Sequence, residues 1–215
     1  MIVCVTGPMA SGKNFVSDIL CEKGFVSVDA DLLAHDAVDS CRDEILGAFS
    51  GIAAEKNIPL VDSDGRIIRR NLGALIFRDP DLLSRQESIV FPKISEMFDE
   101  YLRRNDGRDV IVNATVLYKI PLIKKMDAVI YVDSPSWLRF IRVKKRDGLS
   151  SSQIVDRFKS QKNLFAKYKA SCADIVKVRN IGSKKSLEKR LEKIIYGLKK
   201  RMGKAKWNKN EHCGF

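Results

Sequence analysis

The chain has 215 residues, a formal net charge of +12, and 45% hydrophobic and 31% charged residues, the make-up of a globular protein with one good core plus insertions. No apolar run reaches the roughly 20 residues of a membrane-spanning helix, which argues against a transmembrane protein. The scattered Cys4, Cys21, Cys41, Cys172 and Cys213 form no CxxC pair, and the histidines are His35 and His212, which argues against a disulfide or zinc framework and against histidine-based chemistry.

Ile2-Val-Cys-Val-Thr6 reads as a buried strand, and a helix-compatible stretch begins at Phe15. Because the N-terminus runs straight into that strand, the expectation is no signal peptide and a cytoplasmic location. Between strand and helix lies Gly7-Pro-Met-Ala-Ser-Gly-Lys-Asn14, a GxxxxGK phosphate loop. Gly7 and Gly12 let the backbone curl so that N–H groups point at phosphate oxygens, and the helix adds its positive end. Lys13 reaches the outer phosphates. Nucleotide-phosphate contacts are therefore expected at Gly7, Ala10, Ser11, Gly12, Lys13, Asn14 and Phe15. The eighth position of such loops usually carries a magnesium-ligating hydroxyl; here Asn14 is the candidate ligand, through an amide oxygen on a longer side chain.

Gly24 reads as the stop of the first helix and Phe25–Val28 as a second strand ending at Asp29. Asp29 and Asp31 alternate along an extended segment, so both are expected to face a cleft. Asp31 can orient the proton of an attacking hydroxyl, cap a helix starting at Leu32, or do both, because a cap position is a rigid mount. From Leu32 to Arg108 no parallel strand is expected. That stretch reads as helices over Leu32–Phe49, Arg69–Phe77 and Asp81–Arg104, the last containing Pro92, with a turn at Asp62-Ser-Asp-Gly65. Val110–Asn113, Ala128–Val132 and Ile175–Val178 are further short β-branched runs.

Short buried strands alternating with helices predict an α/β fold with a parallel sheet covered on both faces. Ligands in such sheets sit at the carboxyl ends of the strands, where the loop, Asp29, Asp31, Asn113 and Asp133 all fall. Ser134–Ala170 is basic and helical. Within it Arg142 and Arg146, four apart, share a face that could neutralise a transferred phosphoryl group or simply meet solvent. From Lys184 onward eleven basic residues face three acidic ones. This reads as a polyanion site (nucleic acid or acidic lipid) or as a solvated amphipathic helix with a frayed end. Trp207 and Phe215 are too few for base stacking.

Taken together these stretches resemble the dephospho-coenzyme A kinase family. The resemblance is carried by Gly7–Lys13, Val28-Asp-Ala-Asp31, Asp64-Gly65 with Arg69, Phe77, Pro92, Val132-Asp133, Arg142 with Arg146-Asp147, Arg157 with Gln161, and Ala173-Asp174 with Asn180 and Gly182. It runs from Met1 to about Leu198. It implies a three-layer P-loop kinase core with a parallel five-stranded sheet (residues 1–35, 106–135 and 173–200), a helical acceptor (CoA)-binding insertion (36–105) and a helical lid (136–172). Residues 201–215 are left as a basic tail.

The resemblance also implies ATP and Mg2+ as cofactors and ATP and dephospho-CoA as small-molecule partners. The reaction would be phosphorylation of the ribose 3′-hydroxyl, the last step of coenzyme A biosynthesis. Lys13, Asp31, Arg142 and Arg146 would be the catalytic set, with Asn180 near the adenine and Asp29, Asp31, Arg69 and His35 at the acceptor. Four positions depart from the family pattern. Asn14 replaces the hydroxyl residue, His35 an arginine, and Phe91 the histidine of a His-Pro pair. Thr115-Val-Leu-Tyr-Lys119 replaces Pro-Leu-Leu-Phe-Glu, turning an acidic position basic. Asn14 bears on the metal and the other three on the acceptor. They leave two alternatives, a kinase of another small hydroxyl-bearing metabolite and a catalytically impaired nucleotide-binding protein.

Overall fold

The computed structural model describes residues 1–171 and 174–210; Cys172, Ala173, residues 211–215 and the side chains from Lys204 onward, with the expectations attached to Trp207, His212, Cys213 and Phe215, lie outside the described residues. The β-branched runs form β1 (Ile2–Thr6), β2 (Val26–Asp29), β3 (Val110–Asn113), β4 (Ala128–Asp133) and β5 (Ile175–Arg179). They make one five-stranded parallel sheet in the order β2-β3-β1-β4-β5. The register pairs Val5 with Asn113 and Thr6 with Tyr131, so the end of β1 is flanked by the ends of β3 and β4. Parallel strands buried on both faces need apolar residues in succession, which is why Val3, Cys4, Val5, Ile111, Val112, Val129 and Ile130 are all buried.

The helix α1 (Lys13–Cys21) starts two residues before Phe15, because Gly12 caps it in a left-handed conformation at φ +94°. Its Val16, Ile19 and Leu20 pack with Val5, Ile130, Val178, Leu187 and Leu191 in one buried cluster. Each such side chain contributes on the order of 1.5–3 kcal/mol. Leu187 and Leu191 come from α9 (Lys184–Asn210), whose basic residues are partly used to hold it in place. Lys184 pairs with Glu22, Arg190 donates to the Ile181 carbonyl, Lys199 pairs with Asp109, and Arg201 with Asp174. No helix among the described residues is long and apolar enough to cross a membrane.

The chain divides into two compact units, Met1–Val28 with Gly107–Phe215, and Asp29–Asp106. The second is helical apart from an isolated bridge between Val61 and Ile67. The expected helix over Leu32–Phe49 is two helices, α2 (Ala30–Ser40) and α3 (Arg42–Glu55). The break at Cys41 has local causes. Ser40 Oγ donates back to the Asp36 carbonyl, and Asp43 and Glu44 place acidic charge in the first turn of α3, where a helix dipole favours it. Then follow α4 (Arg69–Ile76) and α5 (Pro80–Arg104), which opens on an Asp79 cap with Pro80 in its first turn and runs on through Pro92.

The first unit continues with α6 (Ser136–Asp147), α7 (Ser151–Ser160) and α8 (Leu164–Ser171). Tyr168 on α8 is fully buried, accepting from the Leu117 N–H at 2.9 Å and donating to the Thr115 carbonyl at 3.2 Å. It fixes the turn after β3, and burial holds its phenol protonated, well above the usual tyrosine range.

Asp109, just before β3, lies 3.0 Å from the N-terminal ammonium and 2.6 Å from Lys199. Burial works against its charge, but these two cations win and hold its pKa below the usual carboxylate value. A depressed folded-state pKa gives stability that is present above the unfolded-state value and lost as pH falls through the folded one. The melting temperature is therefore expected to drop as pH falls below about 4, less steeply in Asp109→Asn. At neutral pH that variant should melt about 2–4 °C lower. Equal pH slopes for the two proteins in a thermal titration would show that Asp109 is not the group responsible.

Candidate active site

The loop Gly7–Asn14 is held from behind. Ala10 sits at φ +59° and Gly12 at φ +94°, a left-handed pair of positions that turns successive peptides over. A Cβ on Gly12 would overlap the Asn180 amide, and one on Gly7 the Val132 carbonyl oxygen. The Ser11 carbonyl is met by Asn180 Nδ2 at 2.8 Å, Ser134 Oγ at 3.0 Å and Arg142 Nη1 at 3.4 Å, and Arg142 Nη1 also donates to the Ala10 carbonyl at 3.1 Å. With these carbonyls tied down on one side, and the Met9 and Ser11 N–H groups donated to Gln161 Oε1 and the Pro8 carbonyl, the remaining N–H groups of the loop are left for an anion on the other. Such preorganisation carries no reorganisation cost when charge develops.

That other side opens on a cavity of about 670 Å³. Lys13, Arg142, Lys145 and Arg146 line it together with Asn14 and Phe15, and among the described residues the lining includes no carboxylate. Ala10, Gly12 and Asn180 also reach it. Ser11, expected to contact the phosphates, is not in the lining: its side chain is fully buried and its N–H donates to the Pro8 carbonyl at 3.0 Å. Arg142 and Arg146 differ in their commitments. Arg142 grips the loop, whereas Arg146 forms a fork with its neighbour Asp147 at 2.6 and 2.9 Å. That hydrogen bond raises the Arg146 pKa and lowers that of Asp147, so both stay charged. Asn180, expected near the adenine, is placed at the end of β5 with its amide on the loop itself.

Two further residues hold the loop: Gln161, which entered only as part of the family resemblance, and Arg139, which was not assigned to the site. Gln161 Oε1 accepts the Met9 N–H at 2.7 Å, and Arg139 Nη1 approaches the Met9 carbonyl at 3.5 Å. Arg139 is stacked over Phe158 at 4.3 Å, and burial lowers its pKa from the ordinary arginine value. It lines a second cavity of about 560 Å³ with Asp133, Lys159 and Lys162. The spacing of Arg139, Arg142 and Arg146, at i, i+3 and i+7, was the available signal, since it puts all three along one helical stripe.

In the unit Asp29–Asp106 the carboxylates are arranged differently from expectation. Asp29 and Asp31 do not alternate on a strand, and Asp31 does not cap a helix at Leu32. Asp29 is the cap: its Oδ1 accepts the N–H groups of Asp31 at 2.8 Å and Leu32 at 3.3 Å, so α2 begins at Ala30 and Asp31 lies in its first turn. The physical reason is that a carboxylate at the end of β2 satisfies two orphan N–H groups at once. His35 is exposed on α2, and Arg69, the first residue of α4, pairs with Asp39 at 2.8 Å. Phe91 is half-buried on α5, while in the first unit Lys119 is exposed in the turn after β3.

The donor set at the loop does not suit a magnesium ion. Asn14 Oδ1 already accepts from Asn113 Nδ2 at 2.9 Å, so the two residues beside the phosphate position are a pair of neutral amides. No group of three or more His, Cys, Asp or Glu side chains among the described residues could hold a metal ion. A hard dication prefers carboxylate and water oxygens over such a pair.

Comparisons with known proteins agree with this architecture. A family model for dephospho-CoA kinase matches residues 1–185. The dephospho-CoA kinase of Treponema denticola is 35% identical over 205 residues, 94% of this chain and 90% of that protein. The Treponema pallidum enzyme is 32% identical over 197 residues, 90% of this chain and 93% of its own. Among solved structures, a Thermus thermophilus protein superposes with a TM-score of 0.74 at 28% identity, covering 92% of this chain and 97% of the other. A dephospho-CoA kinase from Campylobacter jejuni gives 0.54 at 26%, covering 92% and 96%. A shikimate kinase from Bacteroides thetaiotaomicron, 12% identical with a TM-score of 0.51, shares the P-loop kinase fold alone. With a family pattern that runs through residues 1–185 and relatives that align over nine-tenths of its length, this chain belongs to the dephospho-CoA kinase family.

Proposed function

We propose that this protein transfers the γ-phosphoryl group of ATP to the ribose 3′-hydroxyl of dephospho-CoA, giving CoA and ADP, the last step of coenzyme A biosynthesis. The observation that carries this reading is the tied-back loop facing a cavity with Lys13, Arg142, Lys145 and Arg146 on its walls. Backbone N–H groups of Gly7, Ala10, Gly12, Lys13 and Asn14, with Phe15 beside them, would hold the triphosphate. Lys13, Arg142 and Arg146 would take up the charge that spreads onto the γ-phosphoryl oxygens. The 3′-hydroxyl oxygen attacks phosphorus, the bond from phosphorus to the bridging oxygen of ADP breaks, and the hydroxyl proton passes to Asp31. Arg69 and His35 would contact the acceptor, with Asp29 fixing the helix that carries Asp31. Magnesium would arrive with ATP, but the Asn14–Asn113 pair does not fit it and none of these steps is assigned to a metal. We place the reaction in the cytoplasm.

The direct test follows ATP and dephospho-CoA by 31P NMR with the purified chain. Formation of ADP and a 3′-phosphate in equal amounts, dependent on both substrates, is the expected result. A better acceptor among other nucleosides and small alcohols would redirect the reading to a different kinase. ATP binding without any turnover would make the protein the impaired nucleotide binder that Asn14 suggests.

A further inference from the structure

P-loop enzymes hold magnesium through two protein groups, the hydroxyl at the end of the loop and a carboxylate from a core strand. In this chain the loop position is Asn14, and the end of the strand beside β1 is Asn113, in register with Val5. These two side chains are bonded to each other at 2.9 Å, across 99 residues of sequence. The other amide oxygen, Asn113 Oδ1, is buried and has no hydrogen-bond partner among the described residues. Turning both amides over would exchange donor and acceptor and leave Asn113 Nδ2 as the orphan. In either orientation the pair is neutral and one of its oxygens is consumed internally.

The surrounding charge points the same way. Lys13, Arg142, Lys145 and Arg146 line the cavity that Asn14 faces, with no carboxylate among the described lining residues. That wall complements a fully ionised triphosphate by itself. It repels a bare dication, and it lacks the anionic oxygen that would repay the dehydration of one. A hydroxyl–carboxylate pair would make the protein and the metal bind cooperatively, because each would favour the same bound state. An amide pair removes that linkage.

We infer that this chain binds nucleotide triphosphate without a protein-held metal: the Asn14–Asn113 amide pair and the cationic wall take the place of magnesium ligands, so ATP affinity is uncoupled from magnesium. The inference rests on the ATP reading above and sharpens it. Titration calorimetry of the intact protein with ATP, once in excess magnesium chloride and once in EDTA, decides it. Magnesium should tighten ATP binding by less than about fivefold, whereas the double variant Asn14→Ser/Asn113→Asp should show tightening of about fivefold or more. The single variant Asn14→Ser, which leaves the buried strand end untouched, should move in the same direction. Tightening of about fivefold or more in the unaltered protein, abolished in Asn14→Ala, would overturn the inference and leave the kinase reading intact. A double variant that binds ATP but gains no magnesium linkage would also overturn it. No ATP binding in either buffer would remove the kinase reading and this inference together.

Discussion

Asp31→Asn is expected to lower kcat by about 10²–10⁴-fold while changing the ATP dissociation constant by less than about twofold. The substitution is isosteric and removes one ability, that of accepting a proton from the attacking hydroxyl. Asp31 sits in the first turn of α2, where loss of its charge costs about 0.3–1 kcal/mol through the helix dipole. A thousandfold loss of rate corresponds to about 4 kcal/mol, so the chemical effect exceeds the structural one several-fold. Asp29 supplies the control. It holds the cap bonds to the N–H groups of Asp31 and Leu32, so Asp29→Ala should cost about 0.5–2 kcal/mol of stability. Steady-state kinetics beside urea denaturation of the two variants separates the roles. If Asp31→Asn loses stability and ATP binding in step with kcat, Asp31 is a structural residue.

Arg142→Ala should cost about 10³-fold in kcat and weaken ATP binding as well, a double effect that follows from its position. One guanidinium nitrogen lies within hydrogen-bond reach of the Ala10 and Ser11 carbonyls and of Ser134 Oγ, while the side chain also faces the cavity. Truncation removes a cation from the phosphate site and takes a donor from the Ala10 carbonyl, while the Ser11 carbonyl keeps Asn180 Nδ2 and Ser134 Oγ. Arg142→Lys keeps the charge but not the planar fork, so it should recover ATP affinity better than kcat. Arg146→Ala is the contrast. That guanidinium is paired with Asp147 and holds no part of the loop, and its removal should affect ATP binding less than loss of Arg142 does. Equal effects of the two alanine variants on ATP affinity, measured by titration, would show that the loop contacts of Arg142 carry no weight.

Much of the core was legible because its signals are local. The β-branched runs at Ile2–Thr6, Val110–Asn113 and Ala128–Asp133 fall where strands occur, since consecutive apolar residues suit strands covered on both faces. The GxxxxGK spacing predicted the curled loop for the same reason: backbone freedom at Gly7 and Gly12 is a property of those residues alone. Boundaries were less legible. Which of two nearby aspartates caps α2 depends on where β2 ends, and the break at Cys41 depends on which backbone carbonyl Ser40 finds.

The residues by themselves therefore determined the strand–loop–helix unit, the sheet of parallel strands, the helical stretch after Asp29 and the choice of Asn14 as the odd residue of the loop. Tertiary structure alone decided what surrounds that loop. Gln161 and Arg139 grip Met9 from 152 and 130 residues away, Asn180 reaches Ser11 across 169, and Asn113 meets Asn14 across 99. No periodicity encodes such separations, because they are set by the order in which parallel strands enter the sheet and bring their carboxyl ends together. The oddity at position 14 belongs to the sequence; that it is one half of a neutral pair follows only from the placement of β3 beside β1.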